Sequence, residues 1–473
     1  MPSRQDQLHS YQFMVQRVVA ALVMRDTDPA QSPFRRIASA TLAGVVFAAL
    51  GLAGAAVYGA LRGGSAEGWR DANAVIIERE SGAKYVYRDN KLHPVLNYAS
   101  ALLIVGSATP NVMTVSRSKL AGVPRGRAYG IPKAPDALPD KGNLQSPPWT
   151  VCSVPDTTSG GGNGTQSVLS IQRRVDAGRS LDDSKALLVS APGGEVYLLW
   201  RSHRYRIRDR DVVLPALAWN AQARTPVATA MLNTLALGAD IARVQLPAAR
   251  GEKSLATKSA KVGQVFRIET LGGAKLFAVA LPAGLAEISQ VQADLLLGDP
   301  DTAPVLGQRE AIPLGQAEYT AAPKATLALP TGETAPPATS PSLVTSASGT
   351  VLCAQIAAGG SAAQLRVDVP PPDLTAATVT GSRLPEGTVL ADRVLVPPSG
   401  GAVVEALASP AAPGGTLSII TDLGIRYSVP STDVLGMLGY AGVTPVRVPA
   451  EVVALLPVGP ALDPLAAQQP VAG

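Results

Sequence analysis

The chain has 473 residues and a formal net charge of +5; 46% of its residues are hydrophobic and only 4% aromatic. That length allows two to four domains, and 45 glycines with 40 prolines signal many loops and turns. The mild positive balance suits a membrane surface or a protein partner as readily as nucleic acid, while three histidines and two cysteines exclude the usual four-ligand zinc site unless carboxylates join it.

Residues 1–30 come first. Leu8, Tyr11, Val15, Val18 and Leu22 recur at three- and four-residue spacing, one apolar face of a helix, and Asp26, Asp28 and Pro29 stop it. A helix this short cannot bury that face alone. It docks on a partner or lies on a membrane leaflet, where Arg17 and Arg25 could meet lipid phosphate.

Ile37–Leu61 then runs for 25 residues without a charge. At about 1.5 Å per residue such a helix crosses a hydrocarbon layer of about 30 Å with some tilt. A cleaved signal peptide would have an apolar region of roughly 7–15 residues behind a short basic head. Here 36 residues precede a longer run, so a retained signal anchor is expected. Arg35 and Arg36 sit directly before it, with Arg4, Arg17 and Arg25 further back, and only Arg62 lies close behind. This excess places residues 1–36 in the cytoplasm and the C-terminal bulk outside. Small residues at four-residue spacing (Ala40, Gly44, Ala48 and Gly51, Ala55, Gly59) would let another helix approach closely, although Gly and Ala are common in any span.

After a flexible exit at Gly63-Gly64-Ser65, one pattern occurs four times. The first copy is Lys84–Arg88, the turn Asp89-Asn90 and Lys91–Val95. The second is Glu195–Trp200, a turn near Arg201-Ser202 and Arg204–Ile207. The third is Val265–Thr270, the turn Gly272-Gly273 and Lys275–Val279. The fourth is Leu417–Thr421, the turn Asp422-Leu423-Gly424 and Arg426–Val429. Asp, Asn and Gly tolerate the positive φ of a tight hairpin. Each return strand opens on a basic residue, and an apolar stretch ending near Gly follows: ALLIVG, TLALG, DLLLG and GMLGYAG. The unit reads as hairpin, helix, strand, helix, the size of supersecondary repeats that bury their faces against one another. The repeats fall at 74–130, 195–255, 262–320 and 414–465.

Two strand-rich inserts interrupt them, at 145–194 and 342–405. The first carries Cys152, a Gly/Ser loop (Ser159–Gly164) and β-like runs at Ser167–Gln172 and Ala186–Ser190. The second follows a Pro/Thr/Ala-rich linker (Ala321–Pro341) and carries Cys353, Leu365–Val369 and Arg393–Val396. Two cysteines in an oxidising compartment pair. A Cys152–Cys353 bond would staple both inserts into one central β core, with repeats two and three at one end and repeats one and four at the other. The fold class is therefore α+β: a single transmembrane helix, then an elongated extracytoplasmic region with a β-rich core and four repeats.

These features together resemble the EccB family, the membrane-anchored core component of the type VII (ESX) secretion systems of actinobacteria. The opening Arg4–Phe13 is similar to the family's start, as are Ala83–Tyr87 and Leu92–Asn97. The resemblance implies a subunit of an inner-membrane translocation complex. It also implies EccC, EccD, EccE and the mycosin protease MycP as partners, and a hexameric assembly. The family is described as having ATPase activity, so ATP enters as a cofactor only by that attribution.

The residues themselves offer little chemistry. A P-loop needs Gly-x-x-x-x-Gly-Lys-Ser/Thr. The nearest string, Gly251-Glu252-Lys253-Ser254, puts an acidic residue where phosphate would sit and lacks the first Gly. No Gly-x-Ser-x-Gly elbow is present, and His93 and His203 read as ordinary histidines of return strands. No catalytic, cofactor or metal site is expected. The densest charge run is Arg201–Asp211, in which an extended strand would turn Arg204, Arg206, Arg208 and Arg210 to one face. A solvated face, an edge guarded against aggregation and a contact with an acidic partner all fit it; nucleic acid is not expected outside the membrane. A secretion-machine scaffold is the first reading, a bitopic ATPase the second, and a binder of cell-envelope polysaccharide the third.

Overall fold

The computed structural model describes residues 3–24, 33–62, 68–156, 164–171, 177–270, 272–359, 363–381 and 387–471. It divides into an N-terminal unit ending at Asp71 and a body that begins at Ala72. The helix stop at Asp26, Asp28 and Pro29, the exit Gly63-Gly64-Ser65 and all but the last residue of the Ser159–Gly164 loop lie outside the described residues. The N-terminal unit holds helices α1 (Arg4–Met24) and α2 (Pro33–Arg62). Ser3 and Asp6 start α1 by reciprocal capping, the Asp6 carboxylate accepting from the Ser3 N–H at 3.1 Å and the Ser3 hydroxyl accepting from the Asp6 N–H at 3.3 Å.

The body opens with β1 (Ala74–Glu78), β2 (Lys84–Arg88), β3 (Lys91–Val95), helix α3 (Tyr98–Val105) and β4 (Asn111–Val115). The strand order is β3-β2-β1-β4, antiparallel except for the parallel β1–β4 pair. The turn falls on Asp89-Asn90 with φ of 50° and 58°, the left-handed pair that a two-residue hairpin requires. Next come β5 (Trp149–Pro155), β6 (Thr165–Ser170) and β7 (Arg179–Ser180). They are followed by β8 (Lys185–Ser190), β9 (Val196–Trp200), β10 (His203–Ile207), β11 (Thr225–Pro226) and β12 (Ala236–Leu237). A third group is β13 (Val265–Glu269), β14 (Lys275–Leu281), β15 (Gly284–Ile288) and β16 (Ile312–Leu314). After β17 (Ser342–Val344) come β18 (Val351–Ile356), β19 (Gln364–Val369), β20 (Thr378–Val379) and β21 (Arg393–Leu395). The last group is β22 (Ala402–Leu407), β23 (Thr416–Ile420), β24 (Arg426–Ser428) and β25 (Val446–Pro449).

Four sheets share one topology, since β10-β9-β8-β11, β15-β14-β13-β16 and β24-β23-β22-β25 repeat the order of the first. Between them lies a seven-stranded sheet, β20-β21-β6-β5-β18-β19-β7, built from both inserts. Its central β5–β18 pair sets Cys152 directly opposite Cys353, and the two are disulfide-bonded with Cα atoms 4.0 Å apart.

Strand pairing moves several expected boundaries. Lys185–Ser190 and Ala402–Leu407, expected in the central core, are the first strands of the second and fourth repeat sheets. In the third repeat the Gly272-Gly273 hairpin joins the first and second strands, whereas in the other three the expected hairpin joins the second and third. The strand missed there is β15. The stretch TLALG is not helical: Ala236–Leu237 lies parallel to β10 and closes the repeat. The run from Arg204 to Arg210 is not one strand either, because β10 ends at Ile207 and Asp209 adopts φ 44° before the helix Arg210–Ala216. Nor is Ala321–Pro341 a free linker. Thr334 and Ala338 accept from the Ala239 and Val291 N–H groups, Leu327 and Leu329 pack on the core, and β17 pairs with β8.

The two-residue period of the strands allots the faces. Leu187 and Leu199 join Trp149, Leu352, Val404 and Ile420 in the core shared by the central sheet with the second and fourth repeats. Their neighbours Leu188 and Leu198 face the other way, into a core shared with Val265, Val279 and Leu296 of the third repeat. Val75, Val86 and Leu103 of the first repeat pack likewise with Val403, Ile419 and Leu435 of the fourth.

Each repeat ends by running back along its third strand. Gly126, Gly238 and Gly459 donate their N–H groups to Leu92, Arg204 and Arg426 carbonyls. A Cβ on these glycines would lie only 2.1, 2.3 and 2.2 Å from the His93, Tyr205 and Tyr427 rings. In the third repeat Ala325 makes the same bond to Leu285, and the buried residue next to Leu285 is Ala286. Ring-over-glycine has become alanine-over-alanine there. Gly238→Ala is therefore expected to cost about 1–3 kcal/mol by overpacking. With Tyr205→Ala in the same chain, the combined loss should fall short of the sum of the two single losses. Thermal melts of the three variants test this, and strictly additive losses would show that the ring is not what the new methyl meets.

Candidate membrane anchor and assembly surfaces

The apolar part of α2, Ala38–Val57, is long enough to cross a bilayer, and none of it is buried against the protein. Ala40, Gly44 and Ala48 follow one another at four-residue steps, so they share a face, as do Gly51, Ala55 and Gly59 one turn further. A Cβ built on Gly44 or Gly51 meets nothing within 4 Å. That is the open stripe a second helix could approach. In α1 the predicted face is bare too: Leu8, Tyr11, Val15, Val18 and Leu22 are all exposed. Phe13 and Met14 are exposed beside it, which widens the apolar surface beyond the five residues expected; the Arg17 guanidinium covers one side of the Phe13 ring.

The arginines of the run each find a partner within the body. Arg204 is half-buried and donates to the Asn233 side chain at 2.6 Å; burial pushes its pKa down. Arg206 stands 3.9 Å from Glu195, Arg208 pairs with Asp240, and Arg210 donates to the Gly194 carbonyl at 2.7 Å. Arg206, Arg208 and Arg210 lie at one turn of the second repeat, the Arg206 and Arg208 side chains still 42% and 56% exposed, whereas Arg204 turns to Asn233.

A larger charged cluster escaped sequence reading. Asp299, with its side chain 1% exposed, accepts from Arg243 Nε (3.0 Å) and Nη2 (2.7 Å) and from Arg250 Nη2 (2.9 Å). Arg243 also pairs with Asp301. Burial opposes ionisation of Asp299, but the Arg243 bonds, the Asp301 N–H and the Arg250 charge outweigh it and hold the carboxyl below the usual range. The cluster ties residues 243–250 to the end of the helix Gln290–Leu297. Nothing local advertised it, because its members are 49 to 58 residues apart.

Gly251–Ser254 forms no phosphate cradle. Gly251 has φ 89°, Ser254 is buried, and its hydroxyl is committed to the Leu281 carbonyl and the Ala256 N–H. A P-loop leads into a helix whose N–H groups hold phosphate; here the next regular element is β13. His93 is buried with Nδ1 on the Arg127 carbonyl (3.0 Å), and His203 Nδ1 lies 2.8 Å from the Arg201 carbonyl. No group of three or more metal-ligating residues occurs among the described residues.

The family model for the type VII secretion system ESX-1 transport TM domain B, EccB, matches residues 1–471. A protein named ESX-1 secretion system ATPase EccB1, from Mycobacterium tuberculosis, is 30% identical over 97% of this chain and 92% of its own length. The ESX-3 secretion system ATPase EccB3 of the same species is 30% identical over 61% of this chain, a match that spans about half (55%) of that relative. Among solved structures, a chain of the periplasmic assembly from the ESX-5 inner membrane complex covers 84% of this chain with a TM-score of 0.60 at 25% identity. The EccB3 dimer from the ESX-3 core complex covers 84% with a TM-score of 0.61 at 26% identity.

Proposed function

This chain belongs to the EccB family of the type VII secretion system, and from that premise we propose that it is a structural subunit of an ESX inner membrane complex. The observation that carries the reading is the family match along nearly the whole chain, joined to an unburied span at Ala38–Val57. In this reading α2 anchors the chain once in the membrane with the N-terminus in the cytoplasm. The body then lies outside, where a disulfide such as Cys152–Cys353 persists. The bare face of α1 docks on cytoplasmic parts of neighbouring subunits, with EccC, EccD and EccE as partners. MycP meets the body on the outer side, and several copies of the chain surround one pore in a hexameric assembly. The relatives' ATPase names find no counterpart in the Gly251–Ser254 turn, so a scaffold role is preferred.

The test is the mass of the detergent-solubilised complex and the identity of the proteins that co-purify with it. Association with a motor ATPase and other membrane subunits is expected, and a chain recovered alone would overturn the reading. Gly44→Leu and Gly51→Leu should reduce recovery of the complex; unchanged recovery would remove the span from the contact. Protease added to spheroplasts should digest the body and spare residues 1–36, and a protected body would reverse the topology.

A further inference from the structure

The four repeat sheets differ at their outer edge. In the second, third and fourth, the strand parallel to the first carries proline: Pro226 in β11, Pro313 in β16 and Pro449 in β25. Proline has no N–H to offer an incoming strand and guards an edge. Two of the three lie where the backbone turns outward. Val227 bonds inward to Ser190, which leaves its neighbour Pro226 outward. The Arg447 carbonyl faces outward to the Gly359 N–H (3.0 Å), and Pro449 shares its parity.

β4 has no such guard. The Asn111 N–H bonds Asn73 and the Val115 carbonyl accepts from Arg79, so the odd-numbered residues face β1 and the backbone groups of Val112 and Thr114 face out. Both residues are exposed, Val112 by 43%. The strand is five residues long, β-branched at three of them and uncharged.

We infer that β4 is an assembly edge, and that its occupant is β4 of a second copy of this chain, added antiparallel to fuse two four-stranded sheets into one. The inference rests on the proposal that copies of the chain meet outside the membrane. Pairing Val112 with Thr114 of the second copy, and the reverse, matches outward donors to outward acceptors in both directions and closes four hydrogen bonds. Met113 then lies opposite its own copy. Charge selects the direction. An antiparallel pair sets the end carrying Arg117 and Lys119 against the uncharged Ser107–Pro110 stretch of the copy, whereas a parallel pair would set each cation against itself.

The native cysteines supply the assay. Both are bonded, so a thiol introduced at position 113 is the only free one. Directly opposed antiparallel residues without mutual hydrogen bonds lie about 4.5 Å apart at Cα, close to the 4.0 Å that the Cys152–Cys353 pair bridges. Full-length Met113→Cys in detergent, treated with a mild oxidant, should run as a covalent dimer on a non-reducing gel. Adding Thr114→Pro, the guard of the sister sheets, should abolish the dimer, with a retained melting temperature showing that the fold survives. Ser107→Cys should stay monomeric. A monomeric Met113→Cys chain, or a dimer that Thr114→Pro leaves intact, overturns the inference; an extended peptide that binds the edge of such a monomer would identify a different occupant. Co-purification of the other subunits is scored separately, so a failed cross-link in an intact complex refutes the edge and leaves the assembly role standing.

Discussion

Cys152→Ser is expected to give the largest loss of stability of any single conservative change in the body, and Cys353→Ser should reproduce it. The bond joins residues 201 apart in sequence. In the chain-entropy model, closing so long a loop in the unfolded chain contributes about 5 kcal/mol, less whatever the native state pays in fit. The loss should fall on the seven-stranded sheet first, because the bond crosses its β5–β18 pair and both cysteines are buried among Val154, Val168 and Val351. Denaturant titration of the wild type and both serine variants measures it. Near-equal midpoints for all three would show that the sheet holds without its staple, and two reactive thiols in exported wild type would refute the pairing outright.

Asp299→Ala should follow closely. It leaves the Arg243 and Arg250 guanidiniums at a partly buried site without the carboxylate that accepts three of their hydrogen bonds. Breaking a buried pair from one side costs about 3–5 kcal/mol. The pH dependence gives a second readout. A carboxyl whose folded pKa lies below its unfolded value binds fewer protons in the native state. Its contribution is therefore fully present above the unfolded value of about 4 and is lost as pH falls through the lower folded value. Wild type should lose stability more steeply than Asp299→Asn as pH falls below about 4, and the gap between them should narrow there. A gap that stays constant with pH would show that Asp299 acts by shape and not by charge.

Much of the architecture was legible because local chemistry leaves little choice. A charge-free run as long as Ile37–Leu61 has few uses outside a membrane, and Asp89-Asn90 between two β-like runs favours a tight turn. The expectation that repeats two and three lie together, and one and four, came from the two inserts, because a bond between their single cysteines folds the chain back on itself; Leu198 shares a core with Val265, and Val75 with Val403. Local pattern failed where two solutions share it. The Val265–Thr270 and Lys275–Val279 hairpin looks like the others, yet it sits one strand earlier in its sheet. Only the pairing of β14 with β15 reveals the offset. The Pro/Thr/Ala composition of Ala321–Pro341 predicted irregular backbone correctly, and could not say that this backbone would be tied down across two repeats.

The sequence alone determined the long apolar helix, the recurring hairpins and the partner of each cysteine, since each follows from interactions among near neighbours or from a choice with a single answer. Tertiary structure decided which arginines are spent internally, which carboxylate is buried beneath them, and which of four like edges stays open. Those depend on groups tens to hundreds of residues apart meeting in space. No local rule of spacing or charge records such meetings.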